Sequence, residues 1–272
     1  MDQEQSGQYL CQVSETVSCG ACCGLYNATD ASFEGLSRLL AHRSEMFAEI
    51  PREIDAITSF AEQVQAFEPQ NRPLPDFHHC PFLGLIGGKR SRVGCLLHPK
   101  NPQNNGIDFR GLSHYGGMTC RVYFCPSARI LDPVIARIVK STVQNWYMYG
   151  LIITESRLLT AFFDEIERRI DAPLDDERFA AKPHMLKSLH RLFELKLQWP
   201  FRNPDDRFIG CYFFNDDLCP RPRIHFEPIG GAGSPYEAIF QELVSTFNSI
   251  KELHAAERML DRLFSDIACR YR

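Results

Sequence analysis

The sequence has no excess of positive charge, no long apolar run and no recognisable leader segment. It carries 30 Lys and Arg against 34 Asp and Glu, which gives no basic field to hold a phosphate backbone. No apolar run approaches the roughly 18–20 residues that a membrane helix needs. The N-terminal segment lacks the basic and apolar regions of a secretory signal. We therefore expect a cytoplasmic protein that binds neither nucleic acid nor a membrane.

Common catalytic fingerprints are also missing. PIGGAG at 228–233 is not a G-x-G-x-x-G between a strand and a helix with a downstream acid. No Ser-His-Asp signature, phosphate loop or paired-carboxylate motif stands out. The aromatic residues Trp146, Tyr147 and Tyr149 end an amphipathic pattern, which favours packing over ligand recognition. The acidic residues of the second half are most simply solvated helix faces and a charged loop: Asp164, Glu165, Glu167, Asp175, Asp176 and Glu177. Whether the protein is an enzyme is left open.

Cysteine, in contrast, is abundant, with 11 residues. In a reducing cytosol, grouped thiols bind metal or carry out redox chemistry more often than they form structural disulfides. A lone cysteine is usually a small buried hydrophobe, but a group beside Gly and Pro turns is better explained as a metal site. The grouped residues, which we predict to be metal ligands, are Cys19, Cys22, Cys23, Cys80, Cys95, Cys120 and Cys125.

The first three of these cysteines stand in one short turn. Cys19 and Cys22 have the C-x2-C spacing that supplies two sulfurs to one metal. Cys23 follows directly, and neighbouring side chains usually diverge, so both thiolates on one tetrahedral metal would be strained. Cys23 is left for a second metal, an adjacent iron or a resolving thiol.

The other cysteines and the nearby histidines are weaker candidates. Cys11, Cys211, Cys219 and Cys269 are scattered, although Cys211 and Cys219 could approach each other in a hairpin. Cys95-x2-His98 is a possible zinc chelate. The remaining histidines of this region are more simply loop residues or residues that support the ligands: His78, His79 and His114.

Apolar periodicity predicts a mainly α protein with an irregular, loop-rich cysteine region and a few short strands. We expect a helical hairpin, whose first helix is capped by Asp30 or Ser32 and whose second starts near Pro51 and runs up to Pro69. Short strands and loops should follow between Cys80 and Cys125, and then a helix from Pro133 to Gly150 capped by Asp132. Further helices are expected at 155–170 and 183–198, with a strand-like segment at 207–214. A final helix of more than 30 residues should start at a Ser234–Glu237 capping box. The predicted division is a cysteine-bearing region, 1–130, and a helical region, 131–272.

The run SCGACC followed by CPFLG, GCLLHP and CRVYFC, within residues 16–126, resembles the YkgJ-like CxxCxxCC family, which is described as zinc- or iron-chelating. The family pattern begins C-x2-C-x2-C-C. Cys19, Cys22 and Cys23 match its last three positions, and Thr16 stands at the first. Either Cys11 replaces the missing ligand or the centre is smaller. A flagellin lysine methylase is similar in this region, which implies a group-transfer enzyme by analogy alone.

Three functions follow as hypotheses. The first is a protein that holds an iron–sulfur cluster of the 4Fe-4S type, with a redox or accessory role, because more thiols are present than one zinc requires. The alternative is a structural zinc module whose helical region binds a protein partner. The second alternative, from the resemblance, is a methyltransferase-like enzyme.

Overall fold

The computed structural model describes residues 8–69, 71–211 and 219–271. The part of the chain so described is mainly helical and holds one two-stranded sheet, which confirms the predicted fold class. The chain divides into two compact units. The first comprises Met1–Ala128 and Asn145–Gly150, and the second comprises Arg129–Gln144 and Leu151–Arg272.

The first unit contains the two predicted helices of the hairpin. Helix α1 (Phe33–Glu49) is capped by Ser32, whose hydroxyl accepts the Gly35 N–H. Helix α2 (Ile54–Phe67) begins three residues after Pro51. The Phe47 ring of α1 meets the Phe60 ring of α2 edge to face with centroids 5.2 Å apart, and burial of each ring contributes roughly 1.5–3 kcal/mol.

A short hairpin packs against α1. Strand β1 (Leu83–Ile86) pairs antiparallel with β2 (Arg92–Cys95), and Leu83 lies opposite Cys95. The Ser44 hydroxyl of α1 accepts the Leu85 N–H at 2.7 Å. An added Cβ at Gly84 would lie 2.5 Å from the Ser44 hydroxyl oxygen, so this close approach requires glycine.

The strands predicted beyond Cys95 are wrong. The segment after β2 forms two short helices, α3 (Gly116–Val122) and α4 (Ser127–Ile130), and residues 107–115 form turns with a short 3-10 helix, Arg110–Leu112. The apolar residues of RVYFC are exposed rather than alternating in burial, so they lack the half-buried sheet face that stabilises a strand.

The predicted helix from Pro133 to Gly150 is in fact two helices. Asp132 caps α5 (Pro133–Thr142) as expected, but α6 (Trp146–Ile153) starts anew because the Asn145 side chain accepts the Met148 N–H at 2.9 Å. Gly150 lies inside α6 and does not end it. An added Cβ at Gly150 would lie 2.3 Å from the Tyr26 hydroxyl oxygen, which explains the glycine by close packing.

The second unit contains both helices expected for residues 155–198. They are α7 (Ser156–Ile170) and α9 (Pro183–Gln198), with the short α8 (Asp176–Ala180) between them. The segment predicted to be strand-like is not a strand over 207–211, and its remaining residues, 212–214, lie outside the described residues.

The predicted final helix is also interrupted. Helix α10 (Glu237–Glu242) and helix α11 (Ile250–Tyr271) are separated by a turn in which Val244 adopts φ 55°. Backbone bonds hold this turn: the Thr246 N–H donates to Phe201 O at 2.8 Å, and the Asn203 N–H donates to Val244 O at 2.8 Å. These bonds replace the helical ladder.

The expected capping box at the start of α10 is wrong as well. The Ser234 hydroxyl lies 2.8 Å from a carboxylate oxygen of Glu257, to which it donates, and Tyr236 is the N-cap residue. Apolar periodicity therefore continues through a segment whose backbone is not continuously helical.

Candidate metal centre

Cys11 and Cys19 are brought together by a tight turn near the N-terminus. The Ser14 hydroxyl accepts the Val17 N–H at 3.2 Å, and the Cys19 N–H then donates to Cys11 O at 2.8 Å. Thr16, which stands at the first family position, is exposed at the tip of this turn. Cys11, a weak candidate from sequence, therefore lies beside the predicted ligands.

Cys22 and Cys23 occupy a 3-10 turn, Ala21–Cys23, that Gly24 ends in the left-handed conformation with φ 81°. Their thiols hydrogen-bond each other. The expectation that these neighbouring side chains diverge is therefore wrong. This hydrogen bond lowers the pKa of Cys22, and the same bond, together with burial, raises the pKa of Cys23.

The β1–β2 hairpin brings Cys80 and Cys95 together. The Leu83 N–H donates to Cys80 O at 3.3 Å, and Leu83 pairs with Cys95 across the sheet. The Cys80 N–H in turn donates to Cys23 O at 2.9 Å. The hairpin is thereby joined to the 3-10 turn that carries Cys23.

Cys120 and Cys125 flank the exposed segment between α3 and α4. The Cys120 sulfur lies 3.0 Å from the Ser113 hydroxyl, and Arg110 Nη1 donates to Cys120 O at 3.2 Å. Cys125 receives hydrogen bonds from the Ser127 side chain and from the backbone N–H groups of Ser127 and Ala128. No pattern in the sequence pointed to these supporting residues.

Four of the cysteine sulfurs accept a hydrogen bond from a backbone N–H two residues further on. Ala21 donates to Cys19, and Phe82 donates to Cys80. Leu97 and Ser127 play the same part for Cys95 and Cys125. Such bonds stabilise the thiolate over the thiol, and hydrogen bonds to sulfur are a usual means by which a protein tunes a thiolate-bound metal.

Mutual electrostatic effects connect the thiols into two sets of four. Burial raises the pKa of Cys11 to about 12, and the charges of Cys22 and Cys125 add to the rise. Burial raises the pKa of Cys19 most, and the charges of Cys22, Cys125 and Cys11 raise it further. We call these four cysteines the Cys11 set: Cys11, Cys19, Cys22 and Cys125.

The second set is formed in the same way around the hairpin. Burial raises the pKa of Cys95 to about 12, with further contributions from Cys80 and Cys120. Burial also raises the pKa of Cys80 to about 11. The charges of Cys80 and Cys95 contribute to the raised pKa of Cys23. We call these four cysteines the Cys95 set: Cys23, Cys80, Cys95 and Cys120.

The thiols converge without forming a ready-made ligand shell. Among the described residues, no three Cys, His, Asp or Glu side chains form a group that could hold a metal ion as they stand. The seven-ligand set predicted from the sequence therefore stays a prediction. By the chemistry of its donors, soft thiolates supported by amide N–H groups, the arrangement suits iron or zinc.

The histidines of this region have partners or surroundings other than a metal. Buried His79 donates from Nδ1 to Gly24 O at 2.7 Å, and burial lowers its pKa to about 3. His98 Nδ1 accepts the Lys100 N–H at 3.1 Å. His78 and His114 stack with ring centroids 4.3 Å apart. They line the region of the thiols rather than completing a chelate with them.

Arg43 is a buried residue that contacts the backbone of Cys80. Its side chain is 1% exposed and forms a two-point ion pair with Glu68, Nε to Oε1 and Nη2 to Oε2, both at 2.5 Å. Its remaining nitrogen, Nη1, donates to Cys80 O at 2.8 Å. The carbonyl that precedes β1 is therefore fixed by a buried charge.

The remaining sequence candidates lie elsewhere. Cys211 and Cys219 are buried in the second unit, and Cys269 is exposed on α11. Trp146, Tyr147 and Tyr149 are buried, as expected of packing residues. The Tyr149 hydroxyl donates to Leu10 O at 3.0 Å, which ties these aromatics to the turn that carries Cys11.

Comparison of the chain with models of protein families, with curated proteins and with solved structures finds no significant match. In the described part of the chain, no helix is both long enough and apolar enough to cross a membrane. Function is therefore inferred from the residues of the site itself.

Proposed function

We propose that the protein holds an iron–sulfur cluster of the 4Fe-4S type through cysteines of the first unit. The observation that carries the proposal is the convergence of the two thiol sets, in which four sulfurs already accept backbone N–H groups. Thiolates repel one another when buried, and a cationic centre removes that cost. Such a cluster would supply one-electron transfer, so a redox or accessory role follows.

The two sets together offer eight sulfurs, which exceeds the four protein ligands that either one structural zinc or one 4Fe-4S cluster requires. In a cluster each iron takes one protein thiolate, so the sulfurs stand farther apart than around one ion. The same thiols could instead close one or two zinc sites, and that alternative is decided by measurement.

The residues of the chain have defined tasks in this proposal. The N–H groups of Ala21, Phe82 and Leu97 orient sulfurs and favour the thiolate. Arg110, through Cys120 O, and Arg43, through Cys80 O, hold the backbone carbonyls of two cysteines in place, while each guanidinium is also paired with a carboxylate, Asp108 and Glu68 respectively. Ligand binding must displace protons from the buried thiols, so metal uptake should release acid. A reducing, cytoplasmic setting is part of the proposal.

The test is anaerobic purification followed by iron, zinc and acid-labile sulfide analysis. We expect iron and sulfide together, with a broad charge-transfer absorption near roughly 400 nm. Stoichiometric zinc in a colourless protein without sulfide would replace the cluster by the structural zinc module. The absence of any bound metal would end the proposal.

Matched variants make the test specific to the site. Cys80→Ser, in the Cys95 set, should lower the iron content, whereas Cys269→Ser, at an exposed position on α11, should leave it unchanged. Equal iron content in both variants would contradict the placement of the cluster.

The methyltransferase-like alternative comes from the resemblance alone. It remains a proposal of lower rank, because the chain lacks a nucleotide-binding fingerprint.

A further inference from the structure

Cys211 and Cys219 are not used by the proposed metal centre. Both belong to the second unit, and they are 6% and 8% exposed. The Cys211 thiol hydrogen-bonds the Cys219 thiol, so the two sulfurs are already in contact. Eight positions of sequence separate them.

The pair adjoins a buried ion cluster. Arg221, two residues after Cys219, donates from Nη2 to both carboxylate oxygens of Glu155 at 2.8 Å. Lys196 Nζ donates to Glu155 Oε1 at 2.5 Å. The side chains of Glu155 and Lys196 are 1% and 0% exposed, and Arg221 Nε lies 3.4 Å from the buried Glu242 Oε2, so two buried cations and two buried carboxylates balance one another.

The electrostatic surroundings reach the thiols as well. The hydrogen bond to Cys219 raises the pKa of Cys211 most, burial and the Glu155 carboxylate raise it further, and the Arg221 guanidinium opposes the rise. The dithiol is thus part of the same buried polar region as the Glu155 cluster.

We infer that Cys211 and Cys219 form a modification site, a dithiol that a small disulfide oxidises to an intramolecular disulfide and that excess thiol reduces again. The link would fix the segment carrying Arg221 against Glu155. This inference does not depend on the metal centre, because it concerns different residues in the second unit.

The reaction is thiol–disulfide exchange with a small disulfide such as oxidised glutathione. One protein sulfur, as thiolate, attacks the disulfide; a mixed disulfide forms and one glutathione thiolate leaves with the released proton. The neighbouring protein sulfur then attacks the mixed disulfide and releases the second glutathione. The two protein thiols lose two electrons and two protons, and oxidised glutathione becomes two glutathione thiols.

Contact between the thiols decides the product. After the first exchange, the partner sulfur lies within reach and competes against a bimolecular reaction, which favours the intramolecular disulfide. Cys269 is exposed on α11 and lies far along the chain from this pair. It reports whether the oxidant reached the protein.

Trypsin places both cysteines on one peptide, residues 208–223, because the bond after Arg221 precedes Pro222. The full-length protein is incubated with oxidised glutathione, alkylated with iodoacetamide and digested. We expect this peptide to lose two hydrogens and to carry no alkyl group, while Cys269 carries glutathione. Dithiothreitol should restore two alkylatable thiols.

Two results would overturn the inference. One is a 208–223 peptide that is alkylated at both cysteines although Cys269 has been glutathionylated. The other is a disulfide that joins Cys211 or Cys219 to a different cysteine.

A variant gives an independent readout. Oxidation should raise the Tm of the natural protein, because a closed loop constrains the unfolded chain. In the Cys211→Ala variant, Cys219 should carry a single glutathione, and oxidation should no longer raise the Tm. If that variant does not fold, the peptide mass of the natural protein still decides the matter.

Discussion

At the scale of single residues, the first unit contains a buried charge whose partners are also provided by the fold. Arg43 illustrates this, since its guanidinium serves both Glu68 and the carbonyl of Cys80. The burial of Arg43 could not be predicted from the sequence, because an arginine on a helix is ordinarily expected to be exposed to solvent. Its role arises only when α1 meets the segment before β1.

Replacing Arg43 by methionine should destabilise the protein by about 3–5 kcal/mol, because Glu68 would be left as a buried, unpaired charge. Urea unfolding of Arg43→Met measures the loss. Adding Glu68→Leu to this variant should restore much of the stability. A double variant as unstable as the single one would show that the ion pair is not the cause.

Cys11 is the residue at which structure and sequence differ most for the candidate site. The resemblance left its role open because Thr16 stands where a cysteine was expected, and only the Cys19–Cys11 backbone bond shows that Cys11 joins the thiols. The candidate cysteines in distant turns, in contrast, were predictable in kind, since each lies beside or near Gly or Pro.

We predict that Cys11→Ser lowers the bound iron and sulfide as much as Cys19→Ser does. Serine keeps the size of the side chain but removes a soft thiolate donor. Metal analysis of the two variants, purified side by side without oxygen, checks this. Full metal content in Cys11→Ser with loss in Cys19→Ser would exclude Cys11 as a ligand.

At the scale of elements, local signals predicted where helices begin more reliably than where they stop. Asp132 caps α5 as expected. The interruptions after Thr142 and Glu242 were missed. The local Asn145 side chain starts α6 anew, whereas backbone bonds with the distant residues Phe201 and Asn203 hold the turn after Glu242. Arg202 and Ser245, for example, form an isolated β-bridge across this second break. Apolar periodicity records burial, which persists across both breaks.

The contact between α7 and α11 is polar and sensitive to pH. Arg169 of α7 donates to Asp261 Oδ1 of α11 at 2.6 Å, and the Tyr236 hydroxyl donates to the same oxygen at 2.5 Å. The hydrogen bond from Tyr236, followed by that from Arg169, lowers the pKa of Asp261. Its stabilising effect is therefore present above the ordinary aspartate pKa and is lost as the pH falls through the lowered value.

Asp261→Asn should cost up to about 1 kcal/mol at pH 7, since the carboxylate is half-exposed and screened. The difference in unfolding free energy from the natural protein should shrink below about pH 4. Asp164→Asn on α7 is the opposite control, because burial and Glu167 raise the pKa of Asp164. The Asp164→Asn variant should be neutral or stabilising at pH 7. A loss of unfolding free energy in Asp261→Asn that does not change with pH would refute the role given to the Asp261 carboxylate.

At the scale of the whole molecule, the cysteines are distributed unevenly. The two thiol sets lie in the first unit, and Cys211, Cys219 and Cys269 lie in the second. A composition of 11 cysteines predicted the abundance, but the separation of a metal-type group from a dithiol required the fold.

Brief alkylation of the native, metal-loaded protein should therefore label Cys269 first and leave the two sets unlabelled. Coordination removes the thiolate lone pair from attack, so protection should end when a chelator strips the metal. Peptide mass spectrometry after a timed pulse measures each site. Labelling of Cys22, the exposed member of the sets, at the same rate with and without metal would contradict the prediction.

The return of residues 145–150 to the first unit sets a condition on cutting the chain. Any fragment that ends near residue 128 loses Tyr147 O, which accepts the Tyr26 hydroxyl at 2.8 Å, and the Tyr149 hydroxyl, which binds Leu10 O. A buried hydroxyl and a buried carbonyl would lose their partners, at a cost of about 1–3 kcal/mol each. The first unit cannot be excised by a single cleavage; it needs residues 145–150 supplied, either on the same chain or as a separate peptide.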